Sequence, residues 1–125
     1  MKNNHNISTS INTTTLTELR DIMEDRFATL VESFFTSADT LMNDLEIAAA
    51  EGNSVEVKAA SHSISSSCLH FGAERLGAYM RILKIMGHED DLAESLPIIK
   101  KARAEYIQIR QELEPYLLDN LDNAA

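Results

Sequence analysis

The chain has 125 residues, of which 20 are Asp or Glu and 11 are Lys or Arg, so its net charge is −9. This length fits one ordinary domain that needs no disulfide or structural metal, and the single cysteine excludes an intramolecular disulfide and a zinc ribbon. The acidic balance argues against nucleic-acid or anionic-membrane partners, and no apolar run is long enough for a membrane span or a signal peptide. We therefore expect a cytoplasmic, single-domain protein.

The N-terminal segment has a different composition from the rest of the chain. Residues 1–14 are rich in Asn, Ser and Thr, and Ile7 and Ile11 are their sizeable internal apolar residues. So little apolar surface cannot offset the entropy lost on ordering. We predict a flexible polar tail over residues 1–14, followed by a helical domain over residues 15–120.

From residue 16 onward, apolar residues recur at steps of three and four, which is typical of amphipathic helices. We expect Thr15 to cap a short first helix and Asp25 to cap a long second helix, since both residue types are favoured at N-caps. The second helix should end at Gly52. Asn53 should then cap a third helix that runs to about residue 71.

Two glycines and two prolines delimit the remaining helices. Gly72 separates the third helix from a fourth, which should end at Gly87. A last helix should start near Leu92, with Pro97 in its first turn and Pro115 marking its fraying end. No segment shows the period of two that strands require. The predicted fold is therefore all-α: an antiparallel up-down four-helix bundle with the short first helix packed across one end.

Charge is distributed unevenly along the chain. Residues 16–51 carry a net charge of −7, whereas residues 52–87 carry a net charge of +2. The basic residues of the second segment are Lys58, Arg75, Arg81 and Lys84. They are either ordinary solvated surface charges or a site for an anion or an acidic partner.

His62 is predicted to point outward from the third helix. At 100° per residue, small and apolar residues lie on the opposite side of the helix. The residues on the same side as His62 are Val55, Lys58, Ser65, Ser66 and Leu69. An exposed imidazole is largely neutral at pH 7, so one ring nitrogen has a lone pair that can attack phosphorus. The two serine hydroxyls and the lysine ammonium could bind the phosphoryl oxygens, although most exposed histidines have no such role.

Other kinds of site find little support. No pair of residues has the HExxH or Glu-x-x-His spacing of a helical metal site, so no metal is expected. No glycine-rich phosphate loop is present, which argues against an autonomous nucleotide-using enzyme. Cys68 is expected to be a small packing residue rather than a nucleophile.

Residues 59–76 read AASHSISSSCLHFGAERL, which resembles the signature of histidine-containing phosphotransfer (HPt) domains, approximately aHSlKGsaxxlGaxxL. The residues in register are His62, Ser63, Ile64, Ser67, Phe71, Gly72, Ala73 and Leu76. Looser similarity extends over about residues 16–87. The chain departs from the family pattern at two positions, because the usual Lys and Gly are replaced by Ser65 and Ser66.

The resemblance implies a stand-alone phosphorelay intermediate. Nε2 of His62 would accept a phosphoryl group from a receiver-domain aspartate of a response regulator or hybrid sensor kinase, and pass it to another receiver. The receiver would supply Mg²⁺, so the chain would be a phosphoryl carrier without a cofactor or kinase activity of its own. Lys58 or Arg75 would replace the charge of the missing Lys. An apolar docking rim would comprise Val55, Leu69, Leu19 and Met23, and the protein is expected to be a monomer.

Two alternatives involve the same signature. Loss of the usual Lys at Ser65 is compatible with a helical binding module that docks on a receiver or sensor kinase and regulates it without carrying phosphate. The dimerisation helices of histidine kinases also present a phospho-accepting histidine. They usually have an acidic residue directly after that histidine and a proline soon afterwards, whereas here Ser63 follows and the first proline is Pro97. That second alternative is disfavoured.

Overall fold

The computed structural model describes residues 10–124, with side chains described as far as residue 117. Within this part of the chain five α-helices are present and no strand occurs, which confirms the all-α prediction. The helices are α1 (Thr13–Met23), α2 (Phe27–Glu51), α3 (Ser54–Phe71), α4 (Glu74–His88) and α5 (Ser95–Ala124), with a 3-10 turn, Glu24–Arg26, between the first two. None of the described helices combines the length and apolarity that a membrane span requires.

Helices α2 to α5 form the bundle. Each packs against the next in sequence, and α5 packs against α2 to close it, while α1 lies against α2 and α3. Ion pairs at two levels, Arg103 with Glu46 and Arg110 with Asp39, show that α2 and α5 run in opposite directions. This orientation agrees with the expected antiparallel bundle.

The core contains apolar residues from all five helices, and the hydroxyl of Tyr106 within it is hydrogen-bonded. The rings of Phe34 and Phe71 join α2 to α3, with centroids 4.8 Å apart. The hydroxyl of the buried Tyr106 donates to Oδ1 of Asp39 at 2.7 Å. Burial raises the pKa of Tyr106 above its usual range, and the hydrogen bond to the Asp39 carboxylate adds to this rise. This hydrogen bond satisfies a hydroxyl that would otherwise be costly to bury.

The start of the domain differs from the prediction. Residues 1–9 of the expected tail lie outside the described residues, but Ser10 and Ile11 are buried. Their backbone N–H groups donate to the two carboxylate oxygens of Glu112, at 2.8 Å and 3.1 Å. The packed domain therefore includes residues that local composition assigns to the tail, because a carboxylate about a hundred residues away binds them.

Two predicted N-caps are wrong. Asn12 caps α1 instead of Thr15, and its side-chain oxygen accepts from the Thr15 N–H at 3.2 Å. Asp25 lies in the 3-10 turn, and the residue preceding α2 is Arg26, which makes no side-chain cap hydrogen bond. The backbone of Arg26 is itself helical, so the chain does not leave the helical conformation there as a capping residue normally does.

The boundaries of α3 agree with the prediction. The Asn53 side chain accepts from the Glu56 N–H at 3.1 Å, and α3 ends at Phe71, directly before Gly72. By contrast, α5 continues through Pro115, which was expected to mark its end. Proline removes one backbone hydrogen bond. Apolar residues on both sides of it, Leu113 and Tyr116, pack with the core and support the continued helix.

Gly72 joins α3, α4 and the start of α1. Its φ is +72°, in the left-handed region that favours glycine. A Cβ at this position would lie 2.9 Å from Cβ of Thr15 and 3.1 Å from the carbonyl oxygen of Asn12. The Asn12 N–H donates to the Gly72 carbonyl oxygen at 2.8 Å. The glycine therefore allows α1 to begin against the turn between α3 and α4.

Candidate functional site

His62 lies near the middle of α3 with its side chain exposed. The buried residues of the same helix, among them Ala60, Ile64 and Cys68, face the core from the other side. The exposed imidazole is therefore held on a rigid helix rather than on a loop. The outward orientation is the one that the helical spacing indicated.

The nearest polar neighbours along α3 already have local partners. One turn before His62, the Lys58 ammonium lies 3.0 Å from Nδ1 of His88 at the end of α4. One turn after it, the Ser66 hydroxyl donates to the carbonyl oxygen of His62 at 3.2 Å. Ser65 is half-buried at the edge of α3. Small side chains thus leave the C-terminal side of the imidazole open.

The contacts of two glycines show the register between α3 and α4. A Cβ on Gly87 would lie 2.8 Å from the backbone nitrogen of Lys58, and a Cβ on Gly77 would lie 3.5 Å from Cβ of Cys68. The two contacts are ten residues apart in both helices, so α3 and α4 are antiparallel. By this register His62 lies at the level of Leu83.

Basic residues of α4 therefore lie at the level of His62. Arg81 is two residues before Leu83, about 3 Å along the helix axis, and Lys84 is one residue after it, about 1.5 Å along the axis. Arg81 shares a cleft of about 270 Å³ with Ser65 and Leu69 of α3. Arg81 belongs to the basic segment of the sequence, but it was not predicted to lie in the site. Helical periodicity assigns residues to faces, whereas the register of neighbouring helices depends on their packing.

Cys68 forms part of the same cleft, below the surface. Burial raises the pKa of its thiol to about 12, and the Arg81 charge opposes this rise. A thiol with so high a pKa is protonated at neutral pH and is a poor nucleophile. Its environment agrees with the expected packing role.

Arg75 is not close to His62. It lies in the first turn of α4, where its Nε donates to the Glu105 carboxylate at 3.2 Å and its Nη2 donates to the Ser10 hydroxyl at 3.4 Å. The register puts Arg75 opposite His70, eight residues and about 12 Å along the axis from His62. The geometry therefore gives no support to Arg75 as a replacement for the missing Lys.

Apolar residues flank His62 on its own helix. Val55 and Leu69 are 80% and 71% exposed, and both lie about two turns from the imidazole. Leu19 and Met23 of α1 are less exposed than Val55 and Leu69, since they are half-buried and pack against the core. The most exposed apolar residue of α1 is Ile22, at 72%, which the sequence analysis did not select.

The remaining described histidines do not belong to a cluster of potential metal ligands. His70 and His88 are exposed at the ends of their helices, and His5 lies outside the described residues. Within the described part of the chain, no three His, Cys, Asp or Glu side chains are close enough together to hold a metal ion.

Comparisons with known proteins agree with the helical bundle. A family model described as "Hpt domain" matches residues 29–124. Among solved structures, the fold is similar to that of histidine-containing phosphotransfer protein B (HptB) from Pseudomonas aeruginosa PAO1. The TM-score is 0.85 at 19% sequence identity, with 90% of this chain and 97% of that chain covered. A comparison with curated proteins gave no match. Because the family model covers most of the chain, the protein belongs to the Hpt domain family, the histidine phosphotransfer domains of phosphorelays.

Proposed function

We propose that His62 is the residue that accepts the phosphoryl group from a phospho-aspartate of a receiver domain and returns it to another receiver. The observation that carries this proposal is the exposed imidazole in the middle of α3, on a face with small neighbours. The helix fixes the direction in which the His62 side chain leaves the backbone, and the open face leaves room for the phosphoryl donor. Receiver domains are the partners that membership of the family implies.

The transfer is a substitution at phosphorus. The lone pair on Nε2 of His62 forms the N–P bond while the P–O bond of the acyl phosphate breaks, and the electron pair leaves with the aspartate carboxylate. The proton on Nδ1 of the imidazole stays on the ring. Onward transfer is the same step in reverse, with the carboxylate of the next receiver as nucleophile.

The two proteins would divide the catalytic work. The receiver would supply Mg²⁺ and most of the charge stabilisation, while this chain would supply a positioned nucleophile without a cofactor of its own. Lys58 and the hydroxyls of Ser65 and Ser66 would donate to the phosphoryl oxygens. For this, Lys58 must turn away from His88, and Ser66 must release the His62 carbonyl oxygen.

The docking surface would be apolar on both sides of the nucleophile. Val55 and Leu69 flank His62 on α3, and burying two such side chains would exclude water from the phosphoryl group. Leu19 and Met23 would contribute their exposed atoms from α1. We further propose a cytoplasmic monomer whose acidic surface disfavours nucleic acid and anionic membranes.

The test is transfer from phosphorylated receiver domains of the same cell to the purified protein. We expect an acid-labile, alkali-stable phosphate on the parent protein and none on His62→Gln. His70→Gln is the matched control, because His70 is also exposed on α3, and it should accept phosphate normally.

Two other outcomes would contradict the proposal. Tight binding to a receiver without any label would favour the regulatory module that docks without carrying phosphate. Label that persists in His62→Gln would place the phosphate on another residue.

A further inference from the structure

We infer that Arg81, on the neighbouring helix α4, binds the phosphoryl group carried by His62 and supplies the positive charge that position 65 lacks. This inference rests on the proposed function of His62. It differs from the prediction made from the sequence, in which Lys58 or Arg75 supplies that charge. The supporting observations are the register of α3 and α4, the shared cleft, and the absence of an ion pair between Arg81 and any described acidic side chain.

The register brings both Arg81 and Lys84 close to the level of His62, and of these two Arg81 is the one that lines the cleft with Ser65. The contacts of Gly87 with Lys58 and of Gly77 with Cys68 place Leu83 opposite His62, and Arg81 lies about 3 Å further along α4, towards Ser65. An arginine side chain is long enough to cover such an offset. By the same register, Arg75 lies about 12 Å from His62 along the axis.

The cleft gives the guanidinium access to the α3 surface. Ser65 and Leu69 form its α3 side and Arg81 its α4 side, over about 270 Å³. Nη1 of Arg81 lies 3.5 Å from the position that a Cβ on Gly77 would occupy. The side chain therefore lies along α4 at the edge of the cleft, directed towards the level of Cys68. To bind a phosphoryl group on His62 it must turn along the cleft, past the short side chain of Ser65.

Arg81 forms no ion pair with the described side chains, in contrast to three other arginines of the domain. Arg75, Arg103 and Arg110 form ion pairs with acidic side chains. No acidic group lies within 4.0 Å of the Arg81 guanidinium among the side chains described, which extend to residue 117. Two titratable residues, Cys68 and Glu74, line the cleft together with Arg81. The Cys68 thiol is uncharged at neutral pH, and the Glu74 carboxylate lies more than 4.0 Å from the guanidinium.

A phosphoryl group matches these properties. It carries up to two negative charges and three acceptor oxygens, and the planar guanidinium can donate two parallel hydrogen bonds to them. The Ser65 hydroxyl, at the same cleft, can donate a third. A phosphoryl group on Nε2 of His62 would thus lie between a cation from α4 and a hydroxyl from α3.

The test uses phosphoramidate, which transfers its phosphoryl group to histidine and releases ammonia, so no receiver is required. The ³¹P chemical shift of phospho-His62 is measured as a function of pH, which gives the proton affinity of the phosphoryl group. A nearby cation favours the dianion. We therefore expect Arg81→Gln to raise the proton affinity of the phosphoryl group about threefold to fivefold, and Arg81→Lys to restore part of the parent value.

The matched control is Lys101→Gln, which removes the same charge from an exposed position on α5. It should leave the titration unchanged. The difference between Arg81→Gln and the parent should also shrink at 0.5 M salt, because an exposed ion pair is screened. Circular dichroism confirms that each variant is folded.

Two results would overturn the inference while the proposed function stands: an Arg81→Gln titration identical to that of the parent, or an equal effect of Lys101→Gln. If His62 takes no phosphate from phosphoramidate or from phosphorylated receivers, the proposed function fails and the inference fails with it.

Discussion

The Lys58 ammonium lies 3.0 Å from Nδ1 of His88, and this contact links α3 to the end of α4 beside the His62 face. An ammonium group can only donate hydrogen bonds, so Nδ1 of His88 must be the ring nitrogen with the free lone pair. The contact directs Lys58 towards α4. In the free protein, His88 therefore competes with any phosphoryl group for the Lys58 charge.

This competition predicts opposite effects for two substitutions. Lys58→Gln should slow phosphoryl transfer to His62 about twofold to fivefold, the size expected for one exposed charge. His88→Ala should leave the transfer rate unchanged or increase it, because Lys58 is then released. The measurement is the single-turnover rate from one phosphorylated receiver. Equal slowing by both substitutions would mean that the pair acts as a unit, contrary to this account.

Gly72 and Gly52 allow a test of how α1 is held. Both have φ of +72°, but a Cβ on Gly52 would meet nothing within 4 Å, whereas one on Gly72 would press on Thr15 and Asn12. Gly52→Ala should reduce the free energy of unfolding by about 1 kcal/mol, the cost of the left-handed conformation. Gly72→Ala should cost about 1–3 kcal/mol more because of overpacking.

Urea denaturation of the two glycine variants measures this difference. Amide hydrogen exchange should also show faster exchange in α1 for Gly72→Ala alone. If both variants lose the same stability and α1 stays protected in both, the close approach of α1 to the α3–α4 turn does not contribute to stability.

The buried thiol predicts a pH-dependent stability. Burial raises the pKa of Cys68 to about 12 from a usual value of 9.0, so the native state retains the proton that the unfolded chain loses. Its contribution is complete below pH 9 and is lost as the pH rises towards 12. The free energy of unfolding should therefore fall over this range, and less steeply in Cys68→Ala.

The thiol should also resist alkylation at pH 8 until the protein is unfolded. Rapid alkylation of the native protein would contradict the burial.

Features of this structure that depend on contacts between residues close in sequence can be predicted from the sequence, whereas features that depend on distant residues cannot. The extent of α3, its Asn53 cap and the outward direction of His62 follow from local spacing, and all three agree with the structure. The packing of Ser10 and Ile11 could not be predicted, because it depends on Glu112 at the other end of the chain. The prediction therefore placed the start of the domain too late.

The position of Arg81 illustrates the same limit within the site. Periodicity identified the face of α3 that carries His62, but the neighbours across the groove depend on how α3 and α4 are aligned. The contacts at Gly77 and Gly87 show that alignment, and at Gly87 the two helices approach so closely that a Cβ would lie 2.8 Å from the backbone nitrogen of Lys58. Both glycines are visible in the sequence, although nothing local to them specifies which residues of α3 they contact.

The most direct test of the central claim is to locate the phosphate by NMR. Protein labelled with ¹⁵N at histidine is phosphorylated by a receiver, and ³¹P–¹⁵N coupling identifies the ring nitrogen bonded to phosphorus. The account predicts one coupled signal, from Nε2 of His62, that is absent in His62→Gln. Coupling to a nitrogen of His5, His70 or His88, with His62 unmodified, would contradict it.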